Sequence, residues 1–157
     1  MTVNEAFLAP CGLYCGVCGV YYATRDNNDR FLEKLLNFYQ STISGIDHLT
    51  IEDLKCLGCL SDQVSFFCRV CAIKDCTREK EIAGCHQCEA FPCTHVENFP
   101  VPVGKKVILR AVPYWREHGT EKWVADEERR YLCPACGHQV FRGAKRCNKC
   151  KQAVDLD

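Results

Sequence analysis

The chain has no net charge. Its 157 residues hold 20 lysines and arginines against 20 aspartates and glutamates, so no global field draws it to nucleic acid or to an anionic surface. It also lacks any apolar run near the roughly 18 residues that a membrane span needs. The opening residues, MTVNEAFLAPCG, show neither the basic segment nor the long apolar core of a secretion signal, and a cytoplasmic protein with no membrane partner is expected. Leucine, isoleucine, valine and phenylalanine make up about a quarter of the chain. That exceeds the roughly 20% below which a charged chain reads as disordered, yet it is thin for a core that organises itself. Catalytic signatures are missing too. There is no H-E-x-x-H, no H-x-E paired with P-C-x-x-C, no Walker loop, no G-x-G-x-x-G and no G-x-S-x-G, so no motif names a reaction and the balance leans away from an enzyme.

What the chain has is cysteine, 15 in all. Such density belongs to a secreted disulfide scaffold or to a metal-binding protein. Without an export signal the thiols stay reduced, and an odd count leaves one unpaired in any all-disulfide scheme. The spacing decides: most of the cysteines fall in C-x-x-C pairs, whose two sulfurs can meet one tetrahedral ion from a tight turn. Cys133-x2-Cys136, ten residues, then Cys147-x2-Cys150 reads as a zinc ribbon. In it Gly137 supplies a left-handed turn, Val140 and Phe141 form a short strand, and Gly143 turns the chain back. Upstream, Cys68-x2-Cys71-x4-Cys76 repeats as Cys85-x2-Cys88-x4-Cys93 after 17 positions, which suggests a small internal duplication.

Periodicity supplies the helices. Phe31, Leu32, Leu35, Leu36 and Tyr39 form one apolar stripe, with cap candidates from Asp26 to Asp29 and a stop at Gly45. Thr50 and Asp53 predict a short capped helix that delivers Cys56 and Cys59. Thr77 is a cap candidate for another through Ile82, which would put Cys76 at a helix N-terminus, where a thiol is activated. Prolines and glycine near residue 100 mark a boundary. Beyond it Val107, Ile108, Ala111, Val112 and Trp115 share a face, with a kink expected at Pro113, and Thr120 opens a helix to about Arg130 whose Trp123 docks it on a domain. The expected fold is a small metal-stapled α+β protein, mostly short helices around cysteine–zinc knuckles, with a C-terminal ribbon of short β hairpins. Its parts are a cysteine-rich zinc-binding domain over 1–100, a helical connector over 101–130 and the ribbon over 131–157.

The segments CGLYCGVCG from Cys11, CLGC from Cys56, CAIKDC from Cys71 and GCHQCEAFPC from Gly84, in that order, resemble a small cysteine-rich bacterial and archaeal family of unknown function. Its members are thought to bind zinc, and several continue through a tryptophan-bearing helix into a terminal ribbon. The resemblance covers roughly residues 8 to 95. It implies metal ligation by Cys11, Cys15, Cys18, Cys56, Cys59, Cys71, Cys76, Cys85, Cys88 and Cys93, and it supplies no substrate.

With Cys68 added, eleven cysteines lie upstream of the ribbon. Four pairs among them, 15/18, 56/59, 68/71 and 85/88, make two tetrahedral zinc sites, with Cys11, Cys76 and Cys93 over. A third upstream ion needs a histidine as twelfth ligand, and His95 is a better candidate than His86, whose ring inside a C-x-x-C turn usually points outward. The pairings stay open. Cys11-x3-Cys15-x2-Cys18 is also the spacing with which radical S-adenosylmethionine enzymes hold an iron–sulfur cluster, although no strand–helix alternation follows to build their barrel. An iron–sulfur or thiol redox or sensor protein is therefore the alternative to a non-catalytic zinc adaptor or regulatory module. Charge points to a partner. Arg129, Arg130, Arg142, Lys145, Arg146, Lys149 and Lys151 stand together with no acidic residue among them, and Phe141 lies between the knuckles to stack on a base. Nucleic acid is thus a candidate partner beside an unknown protein.

Overall fold

A computed structural model describes residues 2–157. Helices carry the architecture: α1 (Gly19–Arg25), α2 (Asp29–Thr42), α3 (Ile51–Leu54), α4 (Phe66–Arg69), α5 (Ala72–Glu79), α6 (Thr94–Glu97), α7 (Pro102–His118) and α8 (Thr120–Arg130). Short 3-10 turns cover Cys15–Val17 and Cys85–Gln87. No helix among the described residues is long and apolar enough to cross a membrane.

The expected β hairpins do not form. The ribbon contains only two isolated bridges, Leu132 with Gln139 and Arg146 with Ala153, so the molecule is all-helical with a C-terminal cysteine cluster rather than α+β. The reason lies in where the backbone bonds go. Each knuckle closes on itself, Cys133 N–H to the His138 carbonyl and Cys147 N–H to the Gln152 carbonyl, while Arg142 N–H donates to the carbonyl of Val17. The turn that would extend a hairpin is thus engaged with the N-terminal segment.

Local rules placed most helices. Asn28 caps α2, its side chain accepting from Phe31 N–H, and Leu32 and Leu36 bury the predicted stripe. Ile43 ends the helix ahead of Gly45. Thr50 and Asp53 form the reciprocal capping box of α3. α5 starts at Ala72 rather than at Thr77, with Cys71 as its cap. Cys76 therefore lies inside a helix and not at the helix N-terminus expected for it. α7 continues through Pro113 without a break.

Three buried clusters hold these elements together, and each contains sulfur. Val20, Leu32, Leu36, Ile46, Leu49 and Leu54 pack with Cys56 between α1, α2 and α3. Ala9, Ile73, Val96, Ile108 and Val112 surround Cys11, Cys59 and Cys85. Tyr14, Val17, Trp115, Trp123, Tyr131 and Val140 enclose Cys133 and Cys147. Trp115 of α7 stacks on Trp123 of α8 at 4.0 Å between ring centres, so both indoles serve helix packing. α7 contributes to two of the three clusters and binds the upstream knuckles to the ribbon. Glu127, only 2% exposed, accepts from Arg110 at 2.5 and 3.2 Å and locks α8 to α7.

Candidate metal centre

Cys133, Cys136, Cys147 and Cys150 present sulfurs that all lie within 4.8 Å of one another. A tetrahedral zinc with bonds of about 2.3 Å spaces its sulfurs about 3.8 Å apart. The Cys133–Cys150 and Cys136–Cys147 pairs stand at 3.6 and 3.7 Å. The two knuckles are built alike. Gly137 and Lys151, each just after its second cysteine, take φ of +69° and +66°, the left-handed step that lets the backbone turn round a sulfur. Backbone N–H groups of Cys150 and Lys149, with the neighbouring thiols of Cys133 and Cys136, draw the Cys147 thiol down to about 6. Against the Gln152 N–H, desolvation and the other three thiols push Cys150 up to about 11, so Cys147 is the member of the quartet held ready as thiolate, the form that binds metal. Four protein sulfurs leave no open position, which is the arrangement of a structural site.

A second quartet is assembled by the 17-residue repeat. Cys76 from the first copy and Cys85, Cys88 and Cys93 from the second line a cavity of about 20 Å³, with Lys80, Phe91 and His95 beside them. That volume suits one atom-sized occupant. Lys80 donates to the Cys88 sulfur at 3.4 Å. The backbone N–H of Ala90 first, then Lys80, holds the Cys88 thiol below its usual range. Arg116 of α7 braces the same turn by donating to the carbonyls of His86 and Cys88, each at 2.8 Å. The His86 ring points inward and stacks on Trp115 at 3.6 Å; it is packing rather than a ligand. His95 lies exposed at the cavity edge.

The remaining seven, Cys11, Cys15, Cys18, Cys56, Cys59, Cys68 and Cys71, line one cavity of about 630 Å³. Pro10 accepts from Cys85 N–H at 2.8 Å, which ties the Cys11 loop to the second quartet. Cys15 sulfur accepts from Cys59 N–H at 3.3 Å, and Cys56 sulfur from Gly58 N–H at 3.4 Å. Burial pushes the Cys11 and Cys15 thiols far above their usual range, so without a bound cation they stay protonated. Among the described residues, no three of these seven sulfurs, nor any three of the second quartet, share the close spacing of the ribbon.

The residues read as a nucleic-acid face separate. Arg129, Arg130, Lys145, Arg146 and Lys149 are exposed, though Arg129 pairs with Asp126 at 2.6 Å. Phe141 and Arg142 turn inward. Phe141 meets Phe31 with ring centres 5.0 Å apart, and the Arg142 guanidinium donates to the Tyr14 carbonyl at 3.1 Å. Sequence reasoning overlooked Lys74, which is buried with its amine donating to the Cys59 carbonyl at 2.6 Å. Its face of α5 carries only Ile73 as an aliphatic marker, too little for periodicity to register.

The protein has a helical fold whose cores are built round thiols, with one four-cysteine group fit for a metal such as zinc. The chain belongs to DUF3795, a family of proteins of unknown function, which it matches over residues 7–98. That stretch carries all eleven upstream cysteines and ends before the ribbon. No curated protein and no solved structure matches the chain.

Proposed function

We propose that the protein is a non-catalytic, zinc-stapled binding module. The observation that carries this reading is the 3.6 and 3.7 Å sulfur spacing of the ribbon, which matches a closed tetrathiolate zinc and leaves no position for a substrate.

Metal analysis of the purified full chain tests the assignment. Cys136, the exposed member of the ribbon, is the least disruptive ligand to change. Cys136→Ser should lower bound zinc by about one ion per chain. Unchanged zinc in Cys136→Ser would refute the ribbon assignment.

The contact surface of the module is the exposed basic group Lys145, Arg146 and Lys149, suited to an anionic partner. Binding of single-stranded nucleic acid at low salt should weaken with added salt and fall at least several-fold in a Lys145→Ala, Arg146→Ala double variant. No binding at low salt, or equal binding by the double variant, removes nucleic acid from this reading.

A further inference from the structure

We propose that the seven-cysteine cavity is the seat of an iron–sulfur cluster, held by cysteinates from the Cys11–Cys18 loop and the Cys56–Cys71 segment, with Arg142 and Lys74 as its counter-charges. The cavity of about 630 Å³ is a groove open to solvent, with exposed Phe38 and Val70 in its lining. It falls in the size class of cofactor clefts, roughly 300–1,000 Å³. It is some thirty times the space enclosed by the Cys76–Cys93 quartet.

Sulfur spacing points the same way. The ribbon sulfurs stand at the edge length of a zinc tetrahedron, whereas no three of the cavity sulfurs come within 4.8 Å of one another. A single ion demands the close spacing. A cubane places each thiolate on a different iron, and so spreads them.

Charge completes the case. Lys74 is 7% exposed and Arg142 is half-buried; among the described residues neither pairs with a carboxylate, since the ion pairs involve other side chains. Buried cations require an anionic neighbour. Each is held beside the proposed ligands, Lys74 at the Cys59 carbonyl and Arg142 at the carbonyl of Tyr14, next to Cys15. Iron-bound thiolates supply the anionic neighbour. The N–H donors from Gly58 to Cys56 and from Cys59 to Cys15 are hydrogen bonds of the kind that tune cluster sulfurs. One cubane takes up to four thiolates. Cys11, Cys15 and Cys18 supply three from a single loop, and the Cys56–Cys71 segment supplies the fourth.

The cluster does not depend on zinc in the ribbon, and the experiment separates the two. The full chain, its thiols reduced and the reductant removed, is kept anaerobic and given sulfide with ferrous and ferric iron in equal amounts, the mean oxidation level of a resting cubane, then desalted and analysed for iron, acid-labile sulfide, zinc and visible absorption. The expected product is brown and holds iron and sulfide in equal amounts. Cys136→Ser should lose zinc and keep the sulfide, and Cys88→Ser should also keep it. Cys15→Ser and Cys18→Ser should lose sulfide at least several-fold while retaining the ribbon zinc. A colourless wild-type chain that holds only zinc overturns the proposal, whatever the variants do. So does sulfide that survives both Cys15→Ser and Cys18→Ser, or that disappears with Cys88→Ser, because the cluster would then sit elsewhere.

Discussion

Cys147→Ser is expected to dismantle the aromatic core rather than merely weaken a terminal module. Cys147 is fully buried beside Cys133, Trp115, Trp123 and Tyr131, so its sulfur is at once a ligand and a packing atom. Structural zinc contributes on the order of 10–16 kcal/mol of apparent binding energy, comparable with the whole stability of a small domain, about 5–15 kcal/mol. Losing one thiolate of four should therefore cost more than about 4 kcal/mol, in the range reserved for metal or core loss. The readout is local. Tryptophan emission should shift to the red and near-ultraviolet circular dichroism should fade as the Trp115–Trp123 stack opens. Helix α2, whose core of Leu32, Leu36 and Leu54 is a separate cluster, should retain far-ultraviolet signal. Native tryptophan spectra in a zinc-free Cys147→Ser chain would mean that the aromatic layer supports itself and the ion is incidental to it.

Breaking the α7–α8 ion pair should have the next largest effect. Glu127 is enclosed and accepts twice from Arg110, whose side chain is 32% exposed. Arg110→Met leaves the carboxylate buried without its partner, and removing one member of a buried pair costs about 3–5 kcal/mol. Partial exposure of Arg110 puts the expected loss at the lower end, about 3 kcal/mol. Adding Glu127→Met should restore most of it, since a well-packed apolar pair often equals the ion pair it replaces. The full double-mutant cycle, read by chemical denaturation, isolates the coupling. Additive losses in the double variant would show that the pair does not hold the helices together and that each side chain acts alone.

The sequence was most legible where structure is decided by residues a few positions apart. The Thr50–Asp53 capping box, the apolar stripe of α2, the start of α8 at Thr120 and the left-handed turn at Gly137 all follow from local backbone chemistry. So does the ribbon quartet, because two C-x-x-C turns separated by ten residues can hardly avoid facing each other. Reading failed where a local signal met a distant competitor. Val140 and Phe141 carry strand propensity, yet the next backbone N–H, at Arg142, bonds to Val17. Thr77 resembles a helix cap, yet the preceding turn from Ala72 is already helical and its hydroxyl donates to the Lys74 carbonyl.

Phe141 and Arg142 show the same limit at the candidate sites. On a chain printed in order they belong to a basic run; in the fold they turn away from it, one against Phe31 and the other toward Tyr14 and the Cys15–Cys18 loop. The residue types and spacings by themselves determined that sulfur, in turn-borne pairs, is the organising chemistry of this protein. Only the tertiary structure decided which sulfurs meet: four at zinc spacing, four about an ion-sized cavity and seven round a large one. The physical reason is that a C-x-x-C turn fixes the direction of its own two thiols, whereas the company they keep depends on long-range packing that α7 imposes by joining two cores at once.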